Sequence, residues 1–111
     1  MADAVALVLM TAPDRAVAEH IVQTLVDERL AACGNILPGV VSIYRWEGAV
    51  QRDDEVLVVL KTTPARTDAV MARVPALHPY DVPEVLVLPV ADGLPPYVRW
   101  VAASCGERSE D

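Results

Sequence analysis

Two long strand-like stretches joined by one tight turn constrain this chain more than any other feature. Residues 33–44 end on Val40, Val41, Ile43 and Tyr44, and residues 50–61 close on the apolar run Val56–Leu60. Between them Trp46-Glu47-Gly48 is a turn signal, and Pro38-Gly39 must bend or bulge the first stretch. A chain of 111 residues has room for one domain, expected to span residues 1–111. A hairpin of this length overhangs so small a core. Its tip needs another surface to pack on, which predicts an oligomer.

The remaining elements arrange themselves around that hairpin. Val5–Met10 is a continuous apolar run and reads as a central strand. Thr11-Ala12-Pro13-Asp14 reads as a helix start, with the Thr hydroxyl able to cap and Asp suited to the positive helix end. Val17, Ile21 and Leu25, with Ala18, Val22 and Val26, give the next segment an apolar side out to about Leu30. Thr62-Thr63-Pro64 opens a second helix, with Val70, Met71 and Val74 inward and Pro75 and Pro79 limiting its extent. Val85–Val90 reads as another central strand. Gly93-Leu94-Pro95-Pro96 leads into a short helix with Tyr97, Trp100 and Val101 on one side, and the charged tail after Cys105 is expected to fray. The fold class is therefore α+β: a ferredoxin-like βαββαβ unit with a four-stranded antiparallel sheet, a long central hairpin and an extra C-terminal helix. Helices cover one sheet face, and subunits are expected to cover the other.

Composition excludes several functions. Asp and Glu number 16 against 9 Lys and Arg, a net charge of −7, and no basic cluster offsets it, so no nucleic-acid partner is expected. No apolar run approaches the ~20 residues of a membrane span. The two cysteines, Cys33 and Cys105, lack paired spacing and read as free thiols in a reducing compartment. With no secretory signal pattern at the N-terminus, a cytoplasmic location is expected.

The chemistries common on this fold fail on required residues. A copper chaperone needs a Cys-x-x-Cys pair in the first strand–helix loop, where this chain has Thr-Ala-Pro-Asp. A phosphate cradle needs glycine beside an arginine, and Arg15 has none near it. An RNA-binding sheet needs aromatics on its central strands, and Val5–Met10 has none. No nucleotide loop, catalytic triad order or paired metal-ligand spacing is present. What remains is a set of polar and aromatic residues near turns: Tyr44, Trp46, Glu47, Lys61, His78, Tyr80, Glu84 and Trp100, with Cys33. Lys61, the only lysine, reads as a strand-end cap or as an anion contact at a subunit junction. Cys33 reads as a small buried hydrophobe or as a soft metal ligand. His78 lies in a loop, where imidazole is ordinarily solvated, and gains interest only if Cys33 or carboxylates join it. Trp46 at a hairpin tip points to packing on a neighbouring subunit.

The same residues carry a family resemblance. Thr11-Ala12-Pro13-Asp14, Leu30-Ala31-Ala32-Cys33, Ser42-Ile43-Tyr44-Arg45-Trp46-Glu47-Gly48, Lys61-Thr62-Thr63, Leu77-His78-Pro79-Tyr80 and Val82-Pro83-Glu84 follow in that order. The chain resembles the CutA family of divalent-cation tolerance proteins over nearly its whole length, starting at the family core without the N-terminal segment of animal members. The resemblance implies a homotrimer with hairpins paired across subunits, and a role in tolerance of copper and other divalent cations. It implies weak binding of copper(II) or another divalent cation, with Cys33 and His78 as metal ligands, and no enzymatic reaction. Tyr44, Trp46, Lys61, Tyr80 and Glu84 match positions around the cleft between subunits. Met10 stands where some bacterial members have a second cysteine, and Cys105 lies outside the family pattern.

Two further readings stay open. One is a PII-like sensor that binds a small anionic ligand in the inter-subunit cleft near Lys61 and Arg45. The other is an enzyme with Glu84, Tyr80 and His78 as acid–base groups, which lacks an accompanying nucleophile.

Overall fold

Alternation along the first strand decides which side of the sheet takes the helices. In β1 (Ala6–Ala12), Ala6, Val8, Met10 and Ala12 are buried, while Leu7, Leu9 and Thr11 are only half-buried. The computed structural model describes residues 3–106. Of the tail expected to fray after Cys105, residues 107–111 lie outside the described residues. Along the chain follow α1 (Arg15–Asp27), β2 (Cys33–Trp46), β3 (Ala49–Thr62), a 3-10 turn at Pro64–Arg66, α2 (Thr67–Leu77), β4 (Val85–Pro89) and α3 (Pro95–Ser104). The four strands form one antiparallel sheet in the order β2-β3-β1-β4.

The core lies between that sheet and α1 and α2. Val8, Met10, Val56, Val58 and Leu60 point from the strands at Ala18, Ile21 and Leu25 of α1 and at Val70 and Val74 of α2. Each such aliphatic side chain contributes roughly 1.5–3 kcal/mol on burial. A smaller cluster of Val5, Ala32, Val101 and Cys105 docks α3 against the end of the sheet. Arg29 fastens it: its side chain donates to the carbonyls of Ala103 at 2.8 Å and Gly106 at 3.1 Å.

Four local expectations are corrected. Asp14, not Thr11, caps α1: its side chain accepts from the Val17 N–H at 2.9 Å. The helix stops at Asp27 rather than near Leu30 because Arg29 turns the chain with φ of 60°. The second helix runs through Pro75 to Leu77; Pro75 is exposed and near the end, where one missing backbone donor costs little. Met71 is exposed rather than inward. The larger correction concerns β4. It reads as central from its unbroken apolar run, yet it pairs only with β1 and forms a sheet edge, with Leu86 56% exposed.

The hairpin arm extends as its length demands. β1 pairs with β3 only from Val56 onward, so Val40–Glu55 of the arm pair with no strand but each other. Glu47 and Gly48, both at positive φ, close the tip in a two-residue turn. The arm makes the molecule long, 49 × 26 × 22 Å.

Candidate functional site

A bulge in β2 aims the site. Leu37 pairs with Leu57 but Val40 pairs with Glu55, so one extra residue sits at Pro38-Gly39. Because strand side chains alternate, one residue moves the rest of β2 to the opposite face. Before the bulge, Cys33, Asn35 and Leu37 share the helix-free face. After it, that face holds Ser42, Tyr44 and Trp46, beside Asp53 and Glu55 of β3. Gly39 adopts a φ of 78°, which glycine takes without strain.

The segment after α2 closes over this arm. His78 ends the helix and turns the Pro-rich segment towards the sheet. Its Nε2 lies 2.8 Å from the Thr11 carbonyl oxygen, and its Nδ1 accepts from the Tyr80 N–H at 3.2 Å. The imidazole is 7% exposed, so the expectation of a solvated loop histidine is corrected: both ring nitrogens hold the loop in place. Tyr80 is thereby set over the sheet, where its hydroxyl donates to Glu55 Oε2 at 2.6 Å. Burial first, then that bond, raises the phenol well above its ordinary range. Tyr44 donates in the same way to Asp53, which is the main cause of its own raised pKa.

These walls line a half-open cavity of about 820 Å³. Tyr44, Trp46, Tyr80 and Glu84 all line it, joined by Asp53, Glu55 and Asp81. Reasoning from sequence missed those three acids. The signal for Asp53 and Glu55 was present, for Asp53-Asp54-Glu55 interrupts a strand just before its most apolar run.

The other candidates lie elsewhere on the same face. Lys61 pairs across the strands with Cys33 and donates to Asn35 Oδ1. From Glu55 to Lys61 along β3 is roughly 20 Å at about 3.3 Å per residue. Arg45 sits opposite Val50 at the tip, roughly 36 Å from Lys61 by the same measure. One subunit therefore does not bring Lys61 and Arg45 to a common anion. Nor does it bring Cys33 to His78: His78 bonds Thr11, whereas Cys33 lies level with Leu7, roughly 13 Å along β1. The Cys33 thiol is half-exposed and lies 3.6 Å from the Tyr97 hydroxyl, a contact that is the chief cause of a raised Tyr97 pKa. Met10 is fully buried in the core and does not reach this face. Among the described residues, no three His, Cys, Asp or Glu side chains gather as a metal-binding group.

The family model of the CutA1 divalent ion tolerance protein matches residues 6–104. The chain belongs to the CutA1 divalent ion tolerance family. It is 49% identical over 100 residues to the divalent-cation tolerance protein CutA of Thermus thermophilus, covering 90% of this chain and 97% of that one. CutA1 of Oryza sativa superimposes with a TM-score of 0.91 at 40% identity, covering 96% of this chain and 97% of that one. A protein of Archaeoglobus fulgidus described as periplasmic divalent cation tolerance protein CutA gives 0.85 at 32% identity, over 87% and 94%. Animal relatives are longer: the chain spans 55% of the mouse protein and 61% of the Xenopus one. These CutA family names denote tolerance of divalent cations and no enzymatic reaction.

Proposed function

We propose that this CutA chain works as a cytoplasmic homotrimer in tolerance of copper and other divalent cations, which it binds weakly. The observation that carries the assembly is the unsupported arm. Ile43 is 68% and Val50 63% exposed on it, and the edge strand β4 leaves Leu86 and Leu88 uncovered. Apolar surface on two separated edges suits contact between copies, the arm of one on the sheet of the next. That the number is three rests on the family resemblance. The free thiols Cys33 and Cys105 suit a reducing compartment.

Cys33 is the metal ligand this reading favours, since its thiol reaches the helix-free face. His78 serves only if a ring nitrogen gives up its present partner. A site with a single thiol from each chain binds divalent ions weakly unless a second copy completes it.

Native mass spectrometry of metal-stripped protein, with and without a small excess of Cu(II) or Zn(II), tests both parts. A trimer that takes up a fixed number of ions is expected, with uptake lost in the Cys33→Ala/His78→Ala double variant. A monomer would overturn the assembly, and unchanged stoichiometry in the double variant would overturn the ligands.

A further inference from the structure

We propose that Arg29 and Tyr97 position the Cys33 thiol: Arg29 latches α3 at its C-terminal end, and Tyr97 in the first turn of that helix holds the sulfur. This rests on the reading of Cys33 as metal ligand and names the residues that present that ligand. Every contact involved lies within one chain, so none depends on what a second copy covers.

Arg29 occupies a position that ordinarily belongs to glycine. Its N–H donates to the Val26 carbonyl at 3.0 Å and the Leu30 N–H to that of Leu25 at 2.9 Å. That is the Schellman pattern, which ends a helix on a left-handed residue. Arg29 is that residue, at a φ of 60°, where a side chain strains the backbone and glycine does not. The arginine has a use that glycine lacks. Its Nη2 and Nε donate to the carbonyls of Ala103 and Gly106, and its own carbonyl accepts from the Gly106 N–H at 2.9 Å. The last carbonyls of a helix have no partners within it, and a cation there also meets the negative end of the helix dipole. Strain is thus kept at one residue to fasten a helix elsewhere.

The third helix needs the fastening. It lies outside the βαββαβ unit, and a helix of 10 residues is marginal alone. Only Val101 of α3 is buried, beside Cys105 just past its end.

The opposite end of α3 carries Tyr97, roughly 9 Å along the axis from Ala103. Its ring leans on Trp100, with centroids 5.6 Å apart, and its hydroxyl lies 3.6 Å from Cys33 Sγ. Lys61, the cross-strand neighbour of Cys33, is turned aside, since its ammonium donates to Asn35 Oδ1. A thiolate at Cys33 accepts the phenolic hydrogen, which fixes the direction of its remaining lone pairs. Outer partners of this kind decide how firmly a ligand holds an ion. With α3 displaced, the thiol keeps its place in β2 and loses that orientation.

Variants of the intact protein test the proposal through three readouts. These are Zn(II) affinity, the thiolate charge-transfer band of Co(II)-loaded protein, and the Raman S–H band of metal-free protein in a Cys105→Ser background. Tyr97→Phe keeps the ring and removes the hydroxyl. It should shift the S–H and Co(II) bands and weaken Zn(II) binding roughly tenfold, with an unaltered circular dichroism spectrum. Arg29→Gly relieves the turn, so the chain folds, yet hydrogen exchange across α3 should quicken roughly tenfold or more. Its S–H band and Zn(II) affinity should follow those of Tyr97→Phe, and Arg29→Lys should fall between Arg29→Gly and the parent. An unshifted S–H band in Tyr97→Phe would overturn the role of Tyr97, and unchanged exchange in Arg29→Gly would overturn the latch. Absence of a Co(II)–thiolate band in the parent protein would instead overturn Cys33 as ligand, while the S–H band and hydrogen exchange still decide the positioning.

Discussion

Tyr80 and Glu55, 25 residues apart in sequence, meet through a 2.6 Å hydrogen bond from phenol to carboxylate. That bond ties the segment after α2 to the root of the hairpin arm. Glu55 has little water around it, so the phenol is the neighbour that satisfies its charge. Tyr80→Phe keeps the ring and removes the donor. Denaturant unfolding should show a loss of about 1–3 kcal/mol, the cost of leaving a buried carboxylate short of a partner. A loss within measurement error would mean that the carboxylate finds water instead.

All three tyrosines have raised pKa values from an ordinary 10.0. Their folded state therefore holds the phenolic proton more tightly than the unfolded state. The resulting stabilisation is fully present below pH about 10 and is lost as pH rises through the folded-state values. Phenolate absorbance of the native protein should rise only above the pH at which the denatured protein titrates. Tyr80→Phe should remove the step at highest pH.

Gly34 lies opposite Leu60 on the core side of β2. A Cβ there would come within 2.8 Å of Val22 Cγ1 and 2.9 Å of Leu60 Cδ2. Gly34→Ala should destabilise the fold by about 1–3 kcal/mol through overpacking, measurable as a lower denaturation midpoint. Pairing Gly34→Ala with Val22→Ala, which clears space, should recover part of the loss.

The two thiols should differ in reactivity. Burial raises the Cys105 thiol pKa, outweighing its hydrogen bond with Thr62. Alkylation followed by mass spectrometry should label Cys105 only on unfolding. Cys33, half-exposed in a single chain, should react when subunits are dissociated and be shielded when they are assembled. Equal labelling of Cys33 in both states would place it away from any interface.

Local chemistry made much of this fold legible. The turn at Glu47-Gly48, the irregularity at Pro38-Gly39 and the apolar stripe of α1 each follow from residues near one another in sequence. The position of β4 did not, because a continuous apolar run looks the same whether a strand is flanked on both sides or waits for a partner. His78 misled for a related reason. Its burial depends on a carbonyl at Thr11, 67 residues away, which periodicity cannot anticipate. The aromatic half of the cavity, Tyr44, Trp46 and Tyr80, stood out in sequence. Its acidic half needed the strand register, since only register shows that Asp53 and Glu55 share a face with Tyr44.

That register makes the arm a matter of arithmetic. Pro38 and Gly39 shift the phase of β2 by one residue. A regular strand there, with every residue kept, would slip the pairing beyond Leu37 by one residue, lengthen the tip turn and wear the arm inside out. Val41, Ile43 and Arg45 would then face Glu55, and Tyr44 and Trp46 would look away. The two arms, alike in composition, would differ in everything they present to a ligand or a neighbour. What the arm recognises is thus set by a count of residues as much as by their kind.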